Sequence, residues 1–178
     1  MKTLTKENMN IAVESLVKIS ETDLADLCNI TEQAIKAGGG FGWLTIPPIE
    51  TLKRYWNGIV LIKTNKLIVG RLNGSIAGAL QIYFNPLNNE AQKNISKIKS
   101  HFVAPWARGY GLAKAMIEQA IEISKENNKK SIQLDIRETQ SAAIKLFENK
   151  GFVKWGENPS YAFINGTRIK GFYYYKDL

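Results

Sequence analysis

Six residues, Arg108-Gly109-Tyr110-Gly111-Leu112-Ala113, with Lys114 behind them, carry the clearest chemical signal in the chain. They stand where a strand-like run gives way to a helical one. The first N–H groups of a helix have no intrahelical acceptor, and glycines ahead of them let an anion reach the main chain, so the segment reads as a phosphate cradle. Its spacing is neither the G-x-G-x-x-G of dinucleotide-binding units nor the G-x-x-x-x-G-K-[ST] of NTPase phosphate loops. The net charge of +8 agrees with an anionic partner. Lys93, Lys97, Lys99, Arg108, Lys114, Lys125, Lys129 and Lys130 crowd around this segment against Glu118, Glu122 and Glu126. Charge alone does not choose between a phosphorylated cofactor, a nucleic acid and an acidic membrane surface, and a solvated basic face would look the same.

Other reactive side chains are few. His101 is the only histidine, the one side chain whose ordinary titration falls near pH 6 to 7, and it could relay a proton. Tyr161 and Tyr110 are candidate acids, although aromatic residues in strands and at helix starts commonly serve packing. The single Cys28 shares a helical apolar stripe with Leu24, Leu27, Thr31 and Ile35 and has no base beside it, so it reads as a packed hydrophobe. No Cys/His cluster has metal-ligand spacing, and no metal is expected. No serine has a sequence-level His/Asp partner, so nothing suggests a covalent acyl-enzyme.

The elements that must position these residues alternate along the chain. A strand is expected over 12–19, then a helix capped at Thr22-Asp23 and stopped by a flexible loop from Gly38 to Trp43 that could cover a site. Pro47-Pro48 precedes a second helix over 49–60. Asn73-Gly74 between the apolar runs 66–72 and 75–84 is the strongest short hairpin signal. A strand over 93–103, ended by Pro105, leads into a helix over 109–125. A strand over 131–136, a helix over 140–149 closed by Gly151, a strand over 152–155 and a last one over 169–176 complete the chain. Antiparallel runs with one strand-helix-strand crossover predict an α/β (α+β) fold: a mixed, mostly antiparallel sheet of six to seven strands with helices on both faces. Without internal repeats or a long linker, residues 1–178 read as one domain. The longest apolar run, Ile59-Val60-Leu61-Ile62, cannot span a membrane, and the polar start Met1-Lys2-Thr3-Leu4-Thr5-Lys6-Glu7 lacks a signal-peptide core, so a cytoplasmic protein is expected.

Arg108, Gly111 and Ala113 match [Gln/Arg]-x-x-Gly-x-[Gly/Ala], and here the chain resembles the GNAT acetyltransferase superfamily, whose pyrophosphate-binding signature that is. The run His101-Phe102-Val103-Ala104-Pro105 precedes it, Leu134-Asp135-Ile136-Arg137 follows, and Ala143-Ile144-Lys145-Leu146-Phe147-Glu148-Asn149-Lys150-Gly151-Phe152 resembles the family's A-I-x-L-Y-E-x-x-G-F segment. The glycine loop, Trp56-Asn57-Gly58, Pro159-Ser160-Tyr161-Ala162 and Gly171-Phe172-Tyr173-Tyr174-Tyr175-Lys176 are similar to tabtoxin-resistance-type acetyltransferases, which acetylate a small amino-acid-like toxin.

The resemblance implies an acetyl-CoA-dependent N-acetyltransferase working by direct attack in a ternary complex. The main chain of Arg108, Gly109, Tyr110, Gly111, Leu112, Ala113 and Lys114 would hold the CoA pyrophosphate. That of His101, Phe102 and Val103 would meet the pantetheine arm and the thioester carbonyl. Gln140 stands where the family often has an Asn on pantetheine. Phe147 stands where a Tyr often protonates the leaving thiolate, and Lys97 and Lys99 occupy the usual place of a carboxylate base. His101 and Tyr161 remain as candidate catalytic side chains. The implied acceptor is a primary amine of a small molecule, and Lys97 and Lys99 favour one bearing a carboxylate unless they are a solvated strand edge. A protein or peptide acceptor and a catalytically inactive acetyl-CoA-binding module are the alternatives. No nucleic-acid motif accompanies the charge, neither nucleic acid nor membrane is an expected partner, and a homodimer is left open.

Overall fold

In the computed structural model, which describes residues 9–39 and 41–178, two Asn-Gly pairs set two tight hairpins of the sheet. Met1 to Glu7 and Gly40 of the glycine loop lie outside the described residues. Asn73 and Gly74 have φ of 52° and 90°, and Asn165 and Gly166 have 49° and 77°. Paired positive φ values give the tight turn whose twist matches the strands it joins. The first pair joins β2 (Asn65–Leu72) to β3 (Ser75–Phe84), and the second joins β6 (Val153–Ile164) to β7 (Thr167–Asp177).

The seven strands run in the order β1-β2-β3-β4-β5-β7-β6, with β1 at Ile11–Leu16, β4 at Ile95–Val103 and β5 at Ser131–Arg137. Only the β4/β5 pair is parallel. That is the mixed, mostly antiparallel sheet the sequence predicts. Helices α1 (Glu21–Lys36), α2 (Ile49–Leu61), α3 (Leu112–Glu126) and α4 (Ser141–Asn149) cover it. On one face Phe102 of β4 packs on Trp56 of α2, ring centroids 6.3 Å apart. On the other, a Cβ at Gly78 of β3 would lie 2.9 Å from Met116 Cε of α3, and Lys150 behind α4 pairs with Glu118 of α3. So α1 and α2 share one face, and α3 and α4 the other.

Several boundaries differ from the sequence reading. The cap of α1 is Ser20, whose Oγ accepts the Asp23 N–H at 3.1 Å, rather than Thr22-Asp23. Strand β1 stops at Leu16, and α3 begins at Leu112, with Gly109 and Gly111 in the turn before it. The strand expected over 152–155 extends to Ile164, because an edge strand tolerates the arch around Pro159. Cys28 is a buried core residue as expected, and burial pushes its thiol pKa up.

One core contact bears directly on the site. A Cβ built at Gly70 of β2 would lie 2.6 Å from Leu112 Cγ and 2.7 Å from Cδ1, so the first residue of α3 rests on the bare main chain of β2. Gly70→Ala is expected to cost on the order of 1 kcal/mol in chemical denaturation. Combining it with Leu112→Ala should recover part of that loss, and strictly additive losses would contradict the contact.

Candidate functional site

The parallel β4/β5 ladder is short: Ile95, Ser96 and Lys97 pair with Ser131, Ile132 and Gln133, and there it ends. Both strands continue, β4 to Val103 and β5 to Arg137, but they diverge. From Ile98 onward β4 keeps a sheet partner on its β3 edge alone. The opening is a cleft of about 240 Å³ lined by Lys99, Ser100, His101, Asp135, Phe147 and Tyr161 among others. At roughly 30 Å³ per water, that is room for a small molecule. A second cleft of about 350 Å³ runs from it past Phe102, Val103, Arg108 and Ala113 and along Thr139 to Ala143 at the start of α4. The two meet at His101, Gln140 and Ala143.

A bulge in β4 forms this junction. Register passes from Ala79↔Phe102 to Gln81↔Lys99, so three steps on β4 oppose two on β3. Ser100 takes φ 50° to absorb the extra residue. Its hydroxyl is 3.3 Å from the Tyr55 hydroxyl, which also accepts the Gln81 amide N–H at 2.8 Å, fixing the bulge against α2.

His101 turns to the opposite face, its ring edge-on to Phe147 at 5.4 Å. Both ring nitrogens are buried without a hydrogen-bond partner among the described residues. Burial pushes the imidazole pKa down to about 4; the Ala113 main chain pulls weakly the other way but stops short of hydrogen-bond geometry. The ring is therefore neutral near pH 7, outside the window its residue type suggested. An unmet buried donor and acceptor at the meeting point of two clefts suit a polar ligand passing there.

At the end of β4 the chain turns into α3 through Gly109 and Gly111, with φ of 84° and 83°, and a Cβ on either would meet nothing within 4 Å. The first N–H after the turn to find a main-chain acceptor is that of Ala115, which donates to Gly111 O at 3.0 Å. The N–H groups of Gly109, Tyr110, Gly111, Leu112, Ala113 and Lys114 have no acceptor among the described residues. Exposed Arg108 and Lys114 flank them. Open space before unmet N–H donors and two cations fits a pyrophosphate.

The other wall of the opening is built by β5, β6 and β7. Register on β6 jumps from Asn158↔Gly171 to Ala162↔Ile169, leaving Pro159-Ser160-Tyr161 as an arch. The arch lays Tyr161 on Gly171, where a Cβ would lie 2.1 Å from the ring, and the Tyr161 hydroxyl donates to Asp135 Oδ2. Burial and that carboxylate push the Tyr161 pKa far up, so the phenol keeps its proton. Asp135 is the residue that sequence reasoning missed as chemistry; in an alternating strand it reads as a solvated charge, and only the register of β5 with β4 places it level with Lys99 at the opening. Arg137 Nη2 donates to Gly39 O at 3.0 Å and Phe41 O at 2.7 Å, and Gln140 Nε2 to Gly38 O at 2.9 Å. The glycine loop is thus strapped across the end of the clefts, and Gln140, which lines both, has no donor on its amide oxygen among the described residues.

Among the described residues no helix is long and apolar enough to cross a membrane, and no group of three His, Cys, Asp or Glu could hold a metal ion.

Comparison with known proteins bears on this geometry. The model of the acetyltransferase (GNAT) family matches residues 30–152. An uncharacterised N-acetyltransferase encoded between hisH and hisA in Azospirillum brasilense is 41% identical over 131 residues, covering 74% of this chain and 78% of that one. An N-acetyltransferase structure from Staphylococcus aureus superposes with a TM-score of 0.80 at 20% identity, covering 94% of this chain and 98% of that chain. A phosphinothricin acetyltransferase from Sinorhizobium meliloti, solved with acetyl-CoA, gives 0.79 at 16% identity over 94% and 88%.

Proposed function

The chain belongs to the acetyltransferase (GNAT) family and is an acetyl-CoA-dependent N-acetyltransferase; from that premise we propose that it acetylates the primary amine of a small molecule, by direct attack in the opening between β4 and β5. The observation that carries this reading is the junction of the two clefts at the β4 bulge. One leads to the unmet N–H groups ahead of α3, and the other opens beside Asp135.

Bound acetyl-CoA supplies an acetyl thioester. The N–H groups from Gly109 to Lys114, with Arg108 and Lys114, hold its pyrophosphate. The unpaired β4 edge at His101, Phe102 and Val103 receives the pantetheine amides, and a main-chain N–H there stabilises charge developing on the thioester oxygen. The Gln140 amide oxygen accepts from the same arm. Asp135, the single carboxylate among the residues lining the opening, takes the proton that the acceptor amine gives up. Tyr161 holds that carboxylate in place. Phe147 is 2% exposed and offers no proton, so the thiolate leaves as such and is protonated by water.

Acetyl-CoA mixed with a panel of small primary amines should release CoA thiol in proportion to acetylated amine. Tight acetyl-CoA binding without release by any amine would instead identify a binding module.

A further inference from the structure

We propose that the acceptor is an amino-acid-like zwitterion, its ammonium seated on Asp135 and its carboxylate on Lys99. The inference rests on the acetyltransferase reading and adds the chemical class of its substrate.

The β4/β5 pairing fixes the geometry. Paired residues of a parallel ladder point to the same face, and the last pair is Lys97 with Gln133. Side chains return to a face every second residue, so the next positions on that face are Lys99 and Asp135, one on each lip of the opening. Opposite charges at facing positions would ordinarily pair. Here no ion pair joins them among the described residues. Lys99 Nζ lies over the Tyr83 ring, 4.5 Å from its centroid, and Asp135 takes the Tyr161 hydroxyl. Each charge is held by a neutral aromatic neighbour on its own side, and both line the same cleft.

Two opposite charges kept apart across a space of small-molecule size are complementary to a molecule with two opposite charges. An amine lacking a carboxylate leaves Lys99 unmatched. A peptide or protein N-terminus has an amide in place of that carboxylate, which a cation binds far less well. The arrangement therefore selects a free amino acid or close analogue against both.

The experiment compares each amino acid with its own amide and its decarboxylated amine, reading kcat/KM for wild type, Lys99→Met and Lys97→Met. Lys97 lies where the strands are still paired and serves as the control. Wild type and Lys97→Met should prefer the acid over the amide by about tenfold for the best side chain, and Lys99→Met should bring that ratio to within about threefold of one. Equal rates for acid and amide in wild type, faster acetylation of a tripeptide N-terminus, or an unchanged ratio in Lys99→Met would overturn the assignment. Calorimetry on the CoA-bound protein reads the same preference without turnover. A chain that transferred no acetyl group yet bound the acid over the amide would sink the catalytic reading and uphold this one; equal affinities would sink this one alone.

Discussion

Between pH 6.5 and pH 4 the protein is expected to lose about 3 kcal/mol of stability that a His101→Gln variant does not lose. The cause is the buried imidazole. In the unfolded chain it binds its proton below its ordinary value near 6.5, whereas in the folded chain burial holds that pKa at about 4. Across that window the unfolded state carries more protons, so stability rises with pH and is fully present above the unfolded value. As pH falls through about 4 the contribution is gone. Asp23, whose pKa the Arg71 guanidinium lowers, adds a loss of the same sign at lower pH. The difference between the two proteins, not the wild-type curve, therefore isolates the histidine. Denaturant midpoints at several pH values measure it, and parallel curves would mean that the ring is hydrated or hydrogen-bonded in solution. The same position carries a kinetic consequence. An acid limb of kcat/KM with an apparent pKa of 6 to 7 is not expected from this ring in the free enzyme, whose pKa burial holds at about 4; a limb from the free acceptor amine would lie higher, at about 8 or above.

Replacing Gly111 by valine is expected to weaken acetyl-CoA binding at least tenfold in a chain that stays folded. Two effects combine. At φ 83° a β-branched residue is strained, and relief of that strain rotates the N–H groups that face the anion. The space before the turn is also empty, with nothing within 4 Å of a built Cβ. The Cβ of a valine there enters open space and intrudes on what binds there. Buried Leu112, Met116 and Ile117 keep α3 anchored, so thermal unfolding should shift modestly while calorimetric affinity collapses. Unchanged affinity in the folded variant would move the pyrophosphate away from this turn.

Sequence and structure agree most closely where local chemistry dictates geometry. Glycines at 109 and 111 are legible because only a left-handed turn or close ligand approach calls for them in that spacing. The Asn73-Gly74 hairpin was legible for the same reason. Asn165-Gly166 is the same signal, yet the polar and aromatic run before it, broken by Pro159, hid the strand it belongs to. The β4 bulge at Ser100 left no trace in residue type, since nothing about serine demands φ 50°. It arises from the register between β3 and β4 and from the Tyr55 and Gln81 contacts, which join residues far apart in the chain. Asp135 was hidden differently. As one charge in an alternating strand it looks like a solvated position, and only the early end of the β4/β5 ladder and the Tyr161 arch place it at the opening. Likewise the residue type of His101 suggests titration near neutrality, and its three-dimensional surroundings remove it.

The most direct test of the account is the backbone amide spectrum of the isotope-labelled protein, titrated with CoA and, in parallel, with pantetheine, which lacks the pyrophosphate. With CoA, the amides of Gly109, Tyr110, Gly111, Leu112, Ala113 and Lys114 are expected to move downfield as a group, as donors do on meeting a charged acceptor, together with His101 to Val103 at the opening. With pantetheine, only the β4 amides should respond. Equal shifts at Gly109 to Lys114 with both ligands, or none with CoA while other regions respond, would contradict the central claim that these N–H groups hold the phosphate and aim the thioester between β4 and β5.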